Sequence, residues 1–128
     1  MGRIDERARP FLDKERALAE YLAQEGREVI SLPESGPYRG GDALVDGVEV
    51  EFKKLDPGAT DTTIRNVINN SIRRGGQARN IIIDTRDSGL TLEQARLGLA
   101  RARNITRGRV DRVRIVGDDF DTTSETFE

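Results

Sequence analysis

The segment from Asp42 to Lys54 constrains the fold more than any other part of this 128-residue chain. Apolar and polar side chains alternate over residues 48–53, and this period of two predicts a β-strand. The Asp46-Gly47 pair just before it favours a two-residue hairpin turn, which places Asp42 opposite Glu51. Side chains directly opposite each other share a face of the hairpin. The apolar face, which we expect to lie in the core, then carries Ala43, Val45, Val48, Val50 and Phe52, and the polar face carries Asp42, Leu44, Glu49, Glu51 and Lys53.

The polar face of this hairpin is the first candidate site. The carboxylates of Asp42 and Glu51 lie opposite each other, and Lys53 follows two residues along. Like charges directly opposite destabilise a hairpin, unless a divalent cation lies between them. Two carboxylates with water and phosphate oxygens commonly hold Mg²⁺, so the pattern predicts a magnesium site, with Mn²⁺ or Zn²⁺ as alternatives. An ordinary solvated polar face of an edge hairpin is the competing interpretation.

The remaining elements are predicted from apolar spacing, turn residues and helix caps. We expect a helix from about residue 10 or 13 to 25, a strand at 28–32, a helix from 60 or 61 to about 74, a strand at 80–85, a helix from 91 to about 103 and a strand at 110–116. With the hairpin, the order is α-β-β-β-α-β-α-β. This order predicts an α/β (α+β) fold with a mixed central sheet flanked by helices. We expect one domain at residues 10–117, a linker or lead-in at 1–9 and an acidic flexible tail at 118–128.

The chain contains no cysteine and no histidine, and this absence restricts its chemistry. It excludes disulfides, thiolate zinc sites and cysteine nucleophiles. It also excludes serine–histidine hydrolysis and histidine acid–base chemistry. An enzyme of this composition depends on carboxylates, lysine, arginine, hydroxyls or a bound metal. No apolar run approaches the ~20 residues of a membrane-spanning helix, so we expect no membrane segment.

Charge is distributed unevenly along the chain, although the net charge is only −2. Residues 1–63 carry a net −5, residues 64–116 a net +8 with twelve arginines, and the last twelve residues a net −5. A basic second half is what a phosphate-binding surface would supply. From charge alone, solvated helix and strand faces are the slightly favoured interpretation of the same arginines.

Glu15 is a further candidate because it lies on the apolar stripe of the first predicted helix. On a helical wheel Leu18, Ala19 and Leu22 share its side, whereas Glu20 projects to the opposite side. A carboxylate among core residues requires a partner or a metal. The alternative is that Glu15 lies in the first helical turn, where the helix dipole favours an acid and water is within reach.

The second predicted helix offers a polar side that suits nucleic acid. Arginine, asparagine and glutamine side chains suit contacts to phosphates and bases. A solvated helix face is the alternative for each of these residues taken singly. The candidate substrate-binding residues are Asn66, Asn70, Arg73, Arg74 and Gln77, with Arg65 and Asn69 on the same side.

These residues resemble the signature of the PD-(D/E)xK nuclease superfamily. Asp42 followed by Glu51-Phe52-Lys53 matches its D…(D/E)xK pattern, and the order helix, strand, hairpin, helix, strand is similar. The resemblance implies a metal-dependent nuclease fold with its site at this hairpin.

A closer resemblance, over about residues 13–116, is to the C-terminal tRNA nuclease domains of contact-dependent growth inhibition toxins, the CdiA proteins. It rests on an early helical glutamate before a Leu-Ala pair, a strand ending in Leu-Pro, the Asp…Glu-x-Lys hairpin and an Ile- and Asn-rich helix before a Gln and an apolar strand. These are Glu15 with Leu22-Ala23, Leu32-Pro33, Asp42 with Glu51 and Lys53, residues 64–72, Gln77 and residues 80–84.

This resemblance implies catalytic roles for Glu15, Asp42, Glu51 and Lys53, with the three carboxylates as metal ligands. It also implies RNA, tRNA above DNA, as the substrate. The expected partner is a cognate immunity protein, and the expected route is secretion or delivery within a larger effector into a target-cell cytoplasm. A DNA endonuclease of restriction or repair type is the enzymatic alternative. A non-catalytic nucleic-acid-binding module of the same fold is the alternative outside enzymes.

Overall fold

The structure is a computed structural model that describes residues 2–33, 41–72 and 80–124. Seven strands and three helices lie in these ranges. In chain order they are β1 (Arg3–Asp5), α1 (Asp13–Gln24), β2 (Glu28–Ser31), β3 (Ala43–Val45), β4 (Val48–Lys54), α2 (Asp61–Ser71), β5 (Asn80–Asp84), α3 (Leu92–Thr106), β6 (Arg112–Val116) and β7 (Asp121–Ser124). Within these ranges no helix has the length and apolarity that crossing a membrane requires.

The strands form one seven-stranded mixed sheet, and their order in the sheet is their order in the chain. β1 runs parallel to β2, and β2, β3 and β4 are joined as antiparallel neighbours. β4, β5 and β6 are parallel to one another, and β7 closes the sheet antiparallel to β6. The predicted mixed sheet flanked by helices is thereby confirmed.

The two faces of the sheet carry separate cores. α1 covers one face, where its Leu18 and Leu22 pack with Phe52 and Ile82. α2 and α3 cover the other face, where Ile64 and Ile68 pack with sheet residues that include Ile81 and Ile83. Successive side chains of a strand point to opposite faces, which explains why Ile82 lies in one core and its two neighbours in β5 lie in the other.

The hairpin register is confirmed. Ala43 pairs with Val50 and Val45 pairs with Val48. Asp46 and Gly47 both have positive φ, 50° and 84°, as a two-residue turn that follows the twist of the strands requires. Val48 was wrongly assigned to the core: it is 45% exposed. It is the first residue of β4, next to the turn, and lies outside the core that α1 covers.

Two strands were missed at the ends of the chain. The expected lead-in at residues 1–9 contains β1, and the expected tail at 118–128 contains β7, with residues 125–128 outside the described ranges. The structure therefore adds one strand before the predicted series of helices and strands and one strand after it. Both strands are edge strands of three or four mostly polar residues, and such short segments carry no clear period-two pattern.

Candidate active site

Asp42 is fixed to the strand that carries Glu51 and Lys53. Its Oδ2 accepts a hydrogen bond of 2.7 Å from the backbone N–H of Phe52. Its own N–H donates to the carbonyl of Val50 at 2.9 Å. The carboxylate of Asp42 is thus bound to the backbone between the two polar residues of the Glu-x-Lys pattern, as the hairpin geometry predicts.

Glu15 lies beside Asp42, at the first turn of α1. Its Oε1 accepts a hydrogen bond of 3.0 Å from the backbone N–H of Leu12, so the side chain helps to cap the helix. Arg9 approaches the same carboxylate with both terminal nitrogens, at 3.0 and 3.4 Å. The side chain of Glu15 is only 14% exposed. Both interpretations of Glu15 therefore hold: it is a first-turn acid, and it is a shielded carboxylate with a charged partner.

Glu51 and Lys53 form an ion pair on β4. Lys53 Nζ lies 3.1 Å from Glu51 Oε1, and the lysine side chain is more exposed than the glutamate. The other oxygen, Glu51 Oε2, is buried and has no hydrogen-bond partner in the described parts of the chain. A buried carboxylate oxygen without a donor is costly, and a bound cation is one ligand that would satisfy it.

The pKa of Asp42 is raised to about 7, first because the carboxyl is buried and then because the charges of Glu15 and Glu51 are close to it. The hydrogen bond from Phe52 acts in the opposite direction but is outweighed. Three carboxylates therefore influence one another at this position, and Asp42 is the one that retains a proton near neutrality in the absence of a cation.

The pKa of Glu15 is shifted in the opposite direction to that of Asp42. Burial would raise the pKa of Glu15, but the hydrogen bonds from Arg9 and from the N–H of Leu12 outweigh it and hold the pKa below its ordinary value. Glu15 is therefore charged over the neutral range. The pair resembles other close carboxylates, in which one member ionises readily and the other resists.

An open depression of ≈ 270 Å³ lies next to these residues. It brings together side chains from the start of α1 and from the end of β4, including Glu15 and Lys53. Asp42 and Glu51 do not line this opening, so a substrate group that enters it would first contact Glu15 and Lys53. The lining residues are Leu12, Asp13, Lys14, Glu15, Phe52, Lys53 and Lys54.

The residues present fit a divalent cation in part. Asp42 and Glu51 offer anionic oxygens, and the partnerless Glu51 Oε2 is the atom that a cation would satisfy. Carboxylate oxygens are the ligands that Mg²⁺ prefers, and it usually retains several waters. No group of three or more acidic side chains in the described parts of the chain forms a ready ligand cluster. Glu15 already forms an ion pair with Arg9, so its role as a metal ligand stays a prediction.

The predicted substrate-binding residues are not gathered at the depression. Asn66 and Asn70 are exposed on α2 and do not line it. Asn66 Oδ1 accepts a hydrogen bond of 2.9 Å from the neighbouring Arg65. Arg73, Arg74 and Gln77 lie outside the described residues.

Arg9 is the residue of this site that sequence reasoning missed. It was placed in the lead-in, yet it contacts Glu15 and lies 3.6 Å from Asp42 Oδ1. The signal available was indirect: an acid on a core stripe needs a cation, and Arg9 and Arg16 are both near Glu15 in sequence. Arg16 pairs instead with Glu6, at 2.5 Å.

The fold matches that of a solved structure. The chain superimposes with a TM-score of 0.71 on a protein described as the CdiA-CT/CdiI toxin and immunity complex from Burkholderia pseudomallei. The match covers 95% of this chain and 98% of that chain, at 18% sequence identity. At that identity the likeness concerns the fold alone. Comparison with curated proteins gives no match.

The sequence identifies the family to which a chain with this fold belongs. A sequence model of the contact-dependent growth inhibition CdiA C-terminal domain matches residues 40–121, which is more than half of the chain. The chain therefore belongs to the family of CdiA C-terminal toxin domains, which larger effector proteins deliver. The matched region contains Asp42, Glu51 and Lys53, whereas Arg9 and Glu15 precede it.

Proposed function

We propose that this toxin domain is a metal-dependent endonuclease of the PD-(D/E)xK type that hydrolyses phosphodiester bonds in RNA, with tRNA favoured. One observation carries the proposal. Asp42 is hydrogen-bonded to the backbone between Glu51 and Lys53, and Glu15 is close enough to raise the pKa of Asp42. Carboxylates that perturb one another beside an open depression are typical of functional sites.

Asp42 and Glu51 would hold one or two divalent cations, Mg²⁺ first with Mn²⁺ or Zn²⁺ as alternatives. Glu15 would serve as a further ligand, directly or through water. A divalent cation in such a site lowers the pKa of a bound water and polarises a phosphate. Glu51 Oε2, which is buried and has no hydrogen-bond partner among the residues that the structure describes, would turn toward it.

Lys53 would act on the substrate side. Its ammonium group is held 3.1 Å from Glu51 and is about one-third exposed, so it can reach both the carboxylates and a phosphate in the depression. A fixed ammonium group at this position can orient the attacking water or neutralise the charge that develops on the phosphate. Loss of Lys53 should therefore reduce the rate of cleavage more than the binding of nucleic acid.

The choice of RNA rests on the resemblance to the tRNA nuclease domains of this family. Exposed arginines of the second half, such as Arg96, Arg107 and Arg109, would supply favourable charge for either nucleic acid. The described carboxylate site would serve a DNA endonuclease equally well. Substrate type is therefore a separate outcome of the experiment from metal-dependent cleavage.

The partner of this activity would be a cognate immunity protein. The structural neighbour is described as a toxin and immunity complex, and a toxin of this family requires protection in the cell that makes it. We expect the immunity protein to cover the depression beside Glu15 and Lys53. The domain would act in the cytoplasm of the target cell.

The test is a cleavage assay on total tRNA and on plasmid DNA, with Mg²⁺, Mn²⁺ or EDTA. The variant is Lys53→Ala. Arg3→Ala is the control because Arg3 is an exposed cation that pairs with Glu28 and does not line the depression. Cleavage of tRNA that needs the cation and is lost only in Lys53→Ala supports the proposal. Cleavage of DNA alone moves the domain to the DNA endonucleases. No cleavage by folded protein leaves a non-catalytic binding module.

A further inference from the structure

Arg9 has an unusually complete set of contacts for a residue outside the regular elements. Its Nε donates to the carbonyl of Leu32 at 2.7 Å, and Nη1 donates to the carbonyl of Pro10 and to Glu15. Nη2 donates to the second oxygen of Glu15 and to the carbonyl of Asp42. These five acceptors match the five N–H groups of a guanidinium, so the orientation of the group is fixed.

The guanidinium also occupies a particular place. It lies against the carboxylates of both Glu15 and Asp42, at 3.0 and 3.6 Å, and its side chain is only 16% exposed. It connects four segments: Pro10, the first turn of α1, the residue after β2 and the residue before β3. A shielded charge held this way is an integral part of the site rather than a solvated surface group.

We propose that Arg9 is a positioning residue that takes the place of the cation: it neutralises Glu15, holds it beside Asp42 while the site is cation-free, and competes with a divalent cation for the two carboxyl groups. This inference rests on the proposed metal-dependent function. It assigns a role to a residue that lies before the region matched by the family. Arg9 holds the two carboxyl groups together in advance, and its positive charge weakens the binding of a second cation there.

The competition follows from electrostatics. A unit positive charge a few ångströms from the ligand oxygens opposes the entry of a dication, and the opposition is strong where water is largely excluded. When a cation binds, the guanidinium must share Glu15 and Asp42 or withdraw from them. Its contacts with the carbonyls of Leu32 and Pro10 would keep it close, ready to return.

The binding test uses isothermal titration calorimetry with Mn²⁺ on the whole domain. Arg9→Gln removes the charge but retains hydrogen-bond donors, and Arg9→Lys retains the charge. We expect Arg9→Gln to bind Mn²⁺ about tenfold more tightly than the wild type, and Arg9→Lys to bind with the wild-type affinity. Arg16→Gln is the matched control because Arg16 pairs with Glu6, and we expect it to leave the affinity unchanged.

The melting temperature gives a second readout. Without Arg9 the shielded charge of Glu15 loses its counter-ion, so Arg9→Gln should melt below the wild type in EDTA, and Mn²⁺ should raise its melting temperature more than it raises that of the wild type. Arg16→Gln should show the wild-type rise. An Arg9→Gln variant that binds Mn²⁺ with the same or lower affinity than the wild type would overturn the role of Arg9.

A measurement on the unaltered protein guards against a variant that does not fold. In ¹⁵N-labelled wild type, Mg²⁺ should shift the guanidinium signals of Arg9 and leave those of Arg16 in place. If Mg²⁺ shifts the backbone signal of Phe52 but leaves the Arg9 signals unchanged, the cation binds without disturbing Arg9. That result would refute the competition and leave the metal-dependent function standing. If neither the wild type nor any variant binds a cation, the metal-dependent function fails and the competition fails with it.

Discussion

The backbone N–H of Phe52 donates a hydrogen bond of 2.7 Å to Oδ2 of Asp42. The side chain of Phe52 packs in the core beneath α1, so one residue links the hydrophobic core to the carboxylate site. Because Phe52 stands between Glu51 and Lys53 in the strand, the position of Asp42 is tied to both. Packing at Phe52 therefore controls the geometry of the site as well as the stability of the fold.

The raised pKa of Asp42 predicts a particular pH dependence of stability. In the unfolded chain Asp42 has its ordinary pKa of 3.8, and in the folded protein it has a pKa of about 7. Between these values the folded state binds more protons, so the free energy of unfolding falls as pH rises. We expect Asp42→Asn to remove this fall, which approaches about 1.4 kcal/mol per pH unit, in urea denaturation with EDTA between pH 5 and 7.

The titration of Asp42 between pH 5 and 7 is well separated from that of Glu15. The chain has no histidine, and the lowered pKa of Glu15, which follows from Arg9 and Leu12 overcoming the effect of burial, places its titration below the window. Glu15 contributes stability that is lost only as pH falls through that low pKa. Asp56→Asn, at an exposed position, is the control and should retain the wild-type slope. A wild type whose stability is flat from pH 5 to 7 would contradict the raised pKa.

The partnerless oxygen of Glu51 predicts opposite effects on stability and activity. Methionine is of similar length and has no charge to desolvate, so Glu51→Met should stabilise the cation-free protein by about 1 kcal/mol. The same variant should lose at least about a hundredfold in cleavage rate. Thermal unfolding in EDTA and the tRNA cleavage assay measure the two effects. A lower melting temperature in EDTA would show that the Lys53 ion pair outweighs the cost of burial.

Truncation of Asp84 to alanine should cause a large loss of stability. Its carboxylate is fully buried at the end of β5, with Arg86 at 2.8 Å and Lys54 at 3.5 Å. Burial would raise the pKa of Asp84, but the hydrogen bonds from Arg86 outweigh it and keep the group charged. Removing it takes the counter-ion from two shielded cations, so Asp84→Ala should cost about 3–5 kcal/mol in urea denaturation.

Asp56 supplies the comparison for Asp84. It pairs with Lys14 at 3.4 Å, but both side chains are mostly exposed. Surface pairs of this kind contribute about 0–1 kcal/mol, so Asp56→Ala should change the free energy of unfolding by no more than that. Similar losses at the two positions would mean that Asp84 is more solvated than the structure places it.

α2 and α3 pack closely at Gly98, so a larger residue there should destabilise the protein. A Cβ atom at this position would lie 2.5 Å from Cβ of Ile64 and 2.8 Å from the carbonyl oxygen of Asp61. To make room for the added Cβ, the backbone of α2 or the buried, branched side chain of Ile64 would have to move. Gly98→Ala should therefore destabilise the protein by about 1–3 kcal/mol, despite the better helix propensity of alanine. Leu97→Ala, at a half-exposed neighbouring position, should cost clearly less in the same denaturation experiment.

The hairpin was predictable because its information is local. The alternation of residues 48–53 and the Asp46-Gly47 turn determine which side chains oppose each other, and so place Asp42 against the strand of Glu51 and Lys53. Glu15 was found by the same kind of argument, from its position on the apolar stripe of α1. Sequence patterns reach these residues because each depends on neighbours within a few positions.

The features that were missed depend on contacts between distant parts of the chain. β1 is a strand only because β2 lies alongside it, and its three residues have no pattern of their own. Arg9 is defined by acceptors as far away as Leu32 and Asp42. Val48 has the right alternation but lies beyond the cover of α1, and helix cover depends on tertiary packing.

The order of strands in the sheet has a consequence for how the molecule can assemble. Each strand lies next to the strand that precedes it in the chain, so no pairing waits for a segment from the far end. A chain that is released from its N-terminus onward could therefore add each strand to an edge that is already formed. Each pairing then spans only the chain between consecutive strands, which limits the loop closure that slows sheets whose pairings join distant segments.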